Sequence, residues 1–245
     1  MKKTWLCCFL TTLFCLTFAC QALSAAAEKL PLTGQLIGID AGHQRKGNAA
    51  LEPVAPGSKE KKPKVSSGTR GSFTGVPEYQ VNLDVALLLR DKLEALGAEA
   101  LMVRVDNDVN ISNAERAVMM NEAKVDLIVR IHADGSSSSS VNGASMLVPS
   151  PKSTPDIAAE SRAAGEIILK NFIEATGAKD RGIDPRSDMT GFNWSKVPVC
   201  LIEMGFMTNK REDQLLTSQE YQEKCAQGLA DGVAAWVKSK ADSNP

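Results

Sequence analysis

The chain contains only two histidines, and each follows a short apolar run. His43 comes after "LIGIDAG" and His132 comes after "VDLIVRI". Runs of this kind predict buried strands. Because ligands of open α/β sheets bind at the carboxyl ends of the strands, both imidazoles are expected at one edge of a sheet. A purely structural histidine at a strand end remains the alternative for each residue taken alone.

Two glutamates could complete a site with these histidines. Glu78 begins a helical pattern, and Glu203 lies inside the apolar run "VPVCLIEMGF". Two histidines and one carboxylate suit a zinc ion with an open fourth position, and a second carboxylate could then carry protons. Taken alone, Glu78 could simply favour the first turn of a helix. Glu203 could instead form a buried ion pair with an arginine, since an unpaired buried carboxylate is costly.

Short strands and helices alternate around these residues. Apolar runs predict strands, and apolar positions that recur every three or four residues predict helices between them. This alternation is typical of an α/β fold with a mostly parallel sheet. The predicted strands are "QLIGID", "AEALMVR", "VDLIVRIH", "GASMLVP" and "VPVCLIEMGF"; the predicted helices cover residues 78–97, 112–123, 155–177 and 221–237.

Local signals predict how the connections and helix ends are built. Ser112 with Glu115, and Thr217 with Glu220, have the spacing of capping boxes before helices. Residues 44–77 are rich in Pro, Gly, Ser and Lys, which predicts a long irregular loop. The ending "SKADSNP" is expected to fray.

Composition limits the classes of function. A chain of 245 residues with 43% hydrophobic residues suits one domain, and a net charge of -1 gives no basic stripe for nucleic acid. Four of the six cysteines lie within the first 20 residues, so the rest of the chain is not a disulfide scaffold. Cys200, inside an apolar run, is expected to be a buried small hydrophobic residue.

The N-terminus has the pattern of a secretory signal. Lys2 and Lys3 precede an apolar stretch and then small residues, which predicts a signal peptide over residues 1–26 and a catalytic domain over residues 33–240. A lipoprotein site in "LTFAC" is disfavoured by Phe18, and an uncleaved anchor by a run that is short for a membrane span. We therefore expect a secreted, extracytoplasmic protein that meets a membrane only through this segment, if the segment is uncleaved or lipidated.

Four motifs, taken together and in order, resemble one family. "IDAGH", the glutamate of "PEYQVNLDVALLLRDKLEALG", "VRIHADG" and "VCLIEMGFMTN" resemble the zinc-dependent N-acetylmuramoyl-L-alanine amidases, type 3 catalytic domain, over about residues 35–237. The resemblance implies a single α/β domain with a six-stranded mixed sheet flanked by helices. It implies one zinc ion per chain held by His43, Glu78 and His132, with Glu203 as the catalytic glutamate. Arg130 departs from the pattern, because a small polar residue is commoner there.

The resemblance also implies a reaction and a substrate. Its enzymes hydrolyse the amide between N-acetylmuramic acid and L-alanine of peptidoglycan, and a secretory signal agrees with that extracytoplasmic substrate. A zinc peptidase acting on another extracytoplasmic peptide is the first alternative. A non-catalytic wall-binding module is the second, and the presence of both Glu78 and Glu203 argues against it. The sequence points to no particular protein partner.

Overall fold

The computed structural model describes residues 29–243, in which strands and helices alternate along the chain. In chain order the elements are β1 (Leu36–Ala41), β2 (Asn48–Pro53), β3 (Lys61–Val65), α1 (Glu78–Ala95), β4 (Glu99–Met102), α2 (Asn113–Ala123), β5 (Leu127–Asp134), β6 (Ala144–Pro149), α3 (Pro155–Thr176), β7 (Asp180–Arg186), α4 (Thr190–Asn193), β8 (Val199–Phe206), α5 (Lys210–Leu216) and α6 (Gln219–Ser243).

Six strands form one mixed sheet in the order β4-β1-β5-β8-β6-β7. Every neighbouring pair is parallel except β6 with β8. The central strands β5 and β8 are buried along nearly their whole length, which explains their continuous apolar sequences, since strands covered on both faces lose the polar alternation. The predicted fold is therefore confirmed.

Helices cover both faces of the sheet. On one face, α6 packs against α1 and α3, and both of these helices pack against the strands, with Leu89, Phe172 and Trp236 fully buried in the core. On the other face, Met120 of α2 and Phe192 of α4 pack against the sheet in a smaller cluster. The sheet therefore lies between two layers of helices, with one apolar cluster on each of its faces.

Strand β7 was missed by the sequence analysis because its sequence "DRGIDPR" has no apolar run. It is an edge strand, paired only with β6, and its side chains are all exposed or half-buried, so the strand needs no apolar run.

The prediction that residues 44–77 form an irregular loop is wrong for part of that segment. Strands β2 and β3 form an antiparallel hairpin there. The Trp194 Nε1 atom donates to the Pro53 carbonyl at 2.9 Å, and the buried Glu52 carboxylate accepts from the Ala114 backbone amide at the start of α2 at 3.2 Å. These tertiary contacts order a sequence that has no apolar alternation.

One capping box is confirmed and the other is wrong. Ser112 and Glu115 form both reciprocal bonds at the start of α2. Thr217 instead ends α5, and its hydroxyl donates to the Asp213 carbonyl at 2.9 Å. Glu220 lies within α6 and pairs with Lys224 four residues later. The predicted frayed ending is also wrong up to residue 243, because α6 continues to that position.

The predicted signal peptide, with its alternatives, lies outside the described residues. No helix within residues 29–243 is long and apolar enough to cross a membrane. Cys200 and Cys225 are buried free thiols, as expected for Cys200.

Candidate metal centre and active site

The structure brings both histidines and Glu78 together at the carboxyl end of the central strands. His43 follows β1, Glu78 is the first residue of α1, and His132 lies near the end of β5. The His43 Nε2 atom lies 3.0 Å from Glu78 Oε1 and 3.1 Å from His132 Nδ1, and His132 Nδ1 lies 3.1 Å from Glu78 Oε1. Three potential ligand atoms therefore face one point.

The donor set and its protonation fit a zinc ion. The His43 Nδ1 atom lies 3.1 Å from the Ser66 carbonyl oxygen and 3.0 Å from its hydroxyl. Donation from Nδ1 to that carbonyl leaves the lone pair on Nε2, directed at the cluster. Burial lowers the pKa of His132 to about 4, so the imidazole of His132 is neutral. Two imidazoles and a carboxylate are the ligands of many zinc sites.

Hydrogen bonds fix the Glu78 carboxylate. Its Oε2 atom accepts from the Thr69 backbone amide at 2.8 Å, and its Oε1 atom accepts from Asn82 Nδ2 at 3.1 Å. Burial raises the pKa of Glu78, but the adjacent imidazoles of His132 and His43 outweigh this and hold the pKa well below its usual value. The carboxylate is therefore ionised and oriented, as a metal ligand must be.

Two buried arginines hold the turn that carries His43. Arg104 donates to the carbonyls of Ala41 at 2.8 Å and Gly42 at 2.9 Å. Arg116 donates to the carbonyls of Ala41 at 3.0 Å and His43 at 2.9 Å. His43 has a φ of 61°, a left-handed conformation that is uncommon for a residue with a side chain. Hydrogen bonds to three consecutive carbonyls offset this strain.

A buried carboxylate forms ion pairs with two arginines near this turn. Asp40 Oδ1 lies 2.7 Å from Arg116 Nη1, and its Oδ2 lies 2.8 Å from Arg130 Nε. Burial raises the pKa of Asp40, but the two guanidinium groups together hold it well below its usual range. Arg130, which departs from the family pattern, thus has a partner other than Glu203.

Glu203 lies beside the cluster without a partner of its own. It is paired with His132 across β5 and β8, and its Oε2 atom is buried with no hydrogen-bond partner among the described residues. Within residues 29–243 it forms no ion pair, so the alternative of a buried pair with an arginine is wrong. Burial, with the nearby charges of Glu78 and Asp134, raises the pKa of Glu203 well above its usual value. A carboxyl group in this state can accept a proton and return it.

The cleft around these groups has a volume of ≈ 570 Å³. Sequence analysis missed the small and polar residues of its rim, which are Ser66, Gly68, Thr69, Asp134, Ser136 and Thr208. Gly68 and Thr69 lie in residues 44–77, a segment that predicts an irregular loop. The only sequence signal for a functional role is that this segment joins His43 to Glu78. The supporting Arg116 had a weak signal, a basic residue four positions before Met120 on the buried side of α2.

Comparison with known proteins identifies the family. Residues 37–235 match the family model described as N-acetylmuramoyl-L-alanine amidase. The chain belongs to this amidase family.

Individual amidases agree in sequence and structure. An N-acetylmuramoyl-L-alanine amidase of Mycobacterium tuberculosis is 27% identical over 90% of this chain and 93% of its own length. The amidase LytC of Bacillus subtilis is 31% identical over 86% of this chain, which spans only 37% of LytC. The crystal structure of the amidase Ami1 from Mycobacterium smegmatis superposes with a TM-score of 0.78 and 29% identity, covering 85% of this chain and 99% of Ami1. The resemblance inferred from the four motifs is therefore confirmed, and the protein is an enzyme of the peptidoglycan amidase class.

Proposed function

We propose that this amidase hydrolyses the bond between the lactyl group of N-acetylmuramic acid and L-alanine, using one zinc ion per chain. The observation that carries the proposal is the unpartnered Glu203 carboxyl next to the converging atoms of His43, Glu78 and His132. Within residues 29–243, no contact gives the half-buried Glu203 carboxyl, with its buried and unpartnered Oε2 atom, a structural purpose, whereas its place beside two imidazoles suits a catalytic one.

The ligands in this proposal are His43 Nε2, Glu78 Oε1 and His132 Nδ1. When bound, a zinc ion supplies Lewis-acid chemistry, lowering the pKa of a water molecule toward neutrality and polarising the scissile carbonyl. Ser66 fixes the tautomer of His43, while Arg104 and Arg116 fix its backbone. A site held in this way is preorganised, so little energy is spent on rearranging ligands.

Glu203 carries the proton in the reaction. Its carboxylate takes a proton from the attacking water, and the resulting carboxylic acid gives that proton to the nitrogen of L-alanine as the carbon–nitrogen bond breaks. Burial and the nearby charges of Glu78 and Asp134 raise the pKa of Glu203, which makes its carboxylate a stronger base toward the water proton. The products are a glycan strand with a free lactyl carboxylate and a stem peptide with a free amine.

The location of the reaction follows from its substrate. The predicted signal over residues 1–26 would deliver residues 33–240 outside the cytoplasmic membrane, where peptidoglycan lies. LytC and the other amidases among the relatives are named for a bond of that polymer. We therefore include in the proposal that the enzyme is secreted or periplasmic.

Digestion of purified peptidoglycan by the protein lacking residues 1–26 tests the proposal. Mass spectrometry is expected to find free stem peptides with an N-terminal L-alanine, and the products should disappear with a chelator and return with added zinc. Cleavage within the stem peptide instead would favour the zinc peptidase alternative. Binding to the wall with no cleavage in zinc-supplemented buffer would contradict the proposal.

A further inference from the structure

A second cavity lies at the same edge of the sheet as the active site. It has a volume of ≈ 400 Å³ and lies between the end of α3, the starts of α5 and α6, and the turn before β6. Asn209 on its wall directly follows Thr208 on the wall of the active-site cleft. Nothing in the chemistry of the metal cluster uses this cavity.

The register of the strands shows in which direction this cavity lies from Glu203. Glu203 of β8 is paired with Ser145 of β6, and the neighbouring Ala144 is paired with Asp180 of β7. Lys179, just before β7, lines the cavity. Adjacent strands lie about 4.8 Å apart, so two strands displace the cavity sideways by about 10 Å. An extended peptide of about three residues spans that distance.

The walls of the cavity are built by hydrogen bonds across several segments. Glu212 accepts from the Gly143 backbone amide at 2.8 Å and from the Phe206 amide at 2.8 Å. The Asn209 side chain donates to the Ser139 carbonyl at 2.8 Å. The cavity is therefore a fixed feature, and the carboxylate of Glu212 is already occupied by backbone donors.

Two cations on this cavity have no partner among the described residues. Lys179 and Arg211 are exposed, and within residues 29–243 neither forms an ion pair nor donates a side-chain hydrogen bond. Their neighbour Glu212 accepts backbone amides through both of its oxygens, and it offsets only one of the two charges. Two cations against one carboxylate leave the cavity wall positively charged, which favours an anionic ligand.

The lining on the opposite side of the active-site cleft differs in charge. It consists of Ser66, Gly68 and Thr69, which carry no charge, while the lysines of β3 lie outside this lining. A muramyl peptide has a matching asymmetry, because its sugars near the scissile bond are neutral whereas its peptide carries free carboxylates. The charge of the cleft and cavity linings can therefore determine which way the substrate lies.

We propose that this cavity is a subsite that binds a carboxylate of the stem peptide through Lys179 and Arg211. The peptide then runs from Glu203 toward β7, and the glycan lies on the side of Ser66 and Thr69. This inference rests on the proposed function, since it assigns an orientation to that substrate. The subsite contributes to substrate binding rather than to proton transfer.

The test uses Lys179→Met, Arg211→Met and the double variant in the zinc-loaded protein. Two muramyl peptides serve as substrates, one with free stem carboxylates and one with those carboxylates amidated. The double variant is expected to raise KM for the free-carboxylate substrate about tenfold, with kcat within about twofold, and to leave the amidated substrate unchanged. Added salt should shrink the difference, because these charges are exposed.

Lys238→Met is the matched control. Lys238 is exposed on α6, 17 positions after Tyr221 of the cavity wall, which places it about 25 Å farther along the helix. This variant should leave both substrates unaffected. An equal rise in KM for both substrates in the double variant, or no rise at all, overturns the subsite.

A binding measurement separates this proposal from the proposed function. Calorimetry with the free stem peptide requires no turnover, and the double variant should bind this peptide about tenfold more weakly than wild type. Equal binding by wild type, the double variant and Lys238→Met refutes the subsite even if amidase activity is normal. Selective loss of peptide binding without any amidase activity in wild type refutes the proposed function alone.

Discussion

The substitution Glu203→Gln separates a catalytic from a structural role. The amide is nearly the size of the carboxyl group, but it cannot take a proton from water. General acid–base help contributes about 10²–10⁴-fold, so kcat should fall by at least that range. Zinc content should stay at one ion per chain, because Glu203 lies beside the three convergent atoms and is not one of them.

The structure also determines the expected change in stability. Removing half of a buried ion pair costs about 3–5 kcal/mol, but Glu203 has no such pair within the described residues, and its Oε2 atom has no hydrogen-bond partner. Burial also disfavours the charged form of this side chain. Replacing the carboxyl group by an amide of similar volume should therefore change the free energy of unfolding by less than about 1.5 kcal/mol.

A buried structural carboxylate provides the control. Asp213 accepts from the Phe73 and Thr74 backbone amides at 2.8 and 2.9 Å and from the Thr74 hydroxyl at 2.6 Å. Asp213→Asn should cost about 1–3 kcal/mol of stability and leave far more activity per folded molecule than Glu203→Gln. Urea unfolding, metal analysis and kcat on muramyl peptide, measured together, decide the matter. A zinc-loaded, stable and fully active Glu203→Gln protein would refute the proton-carrying role.

Three further substitutions test the metal centre and its supports. His43→Ala should lose stoichiometric zinc in elemental analysis while circular dichroism stays native, and equal zinc in both proteins contradicts the ligand assignment. Gly68→Ala should also lose zinc, since a Cβ at that position would lie 2.5 Å from Glu78 Oε2 and the φ there is +76°; undiminished zinc affinity in a chelator competition would contradict this. Arg116→Met removes one partner of buried Asp40 and the donors to the His43 turn, so urea unfolding should show a loss of about 3–5 kcal/mol and zinc should bind more weakly. A stability change below about 1 kcal/mol would show that the arginine does not hold the turn.

The sequence was most informative where a particular residue type coincides with a strong local sequence pattern. Long apolar runs predicted β1, β5 and β8 because strands covered on both faces must be apolar throughout. Histidines are rare in this chain, so their position at the ends of two such runs was informative without any knowledge of the fold. The capping box at Ser112 and Glu115 was predictable for a related reason, since both of its hydrogen bonds are local.

The sequence failed where the deciding contacts are distant. The hairpin of β2 and β3 is fixed by Trp194 and by the start of α2, more than 60 residues away. Edge strand β7 has no apolar pattern because it is paired on one side only. Thr217 has the right spacing for an N-terminal cap, but it is the C-terminal cap of α5, and spacing alone could not locate that boundary.

The sequence by itself therefore determined the fold class, the family resemblance and the four candidate residues, because these depend on residue types and short-range order. Only the tertiary structure decided that Glu203 lacks a partner and that Arg130 belongs to Asp40. It alone showed that Arg104 and Arg116 hold the strained turn at His43. The physical reason is that charge pairing and hydrogen bonding act over a few ångströms of space, and the residues concerned are separated by up to 90 positions of sequence.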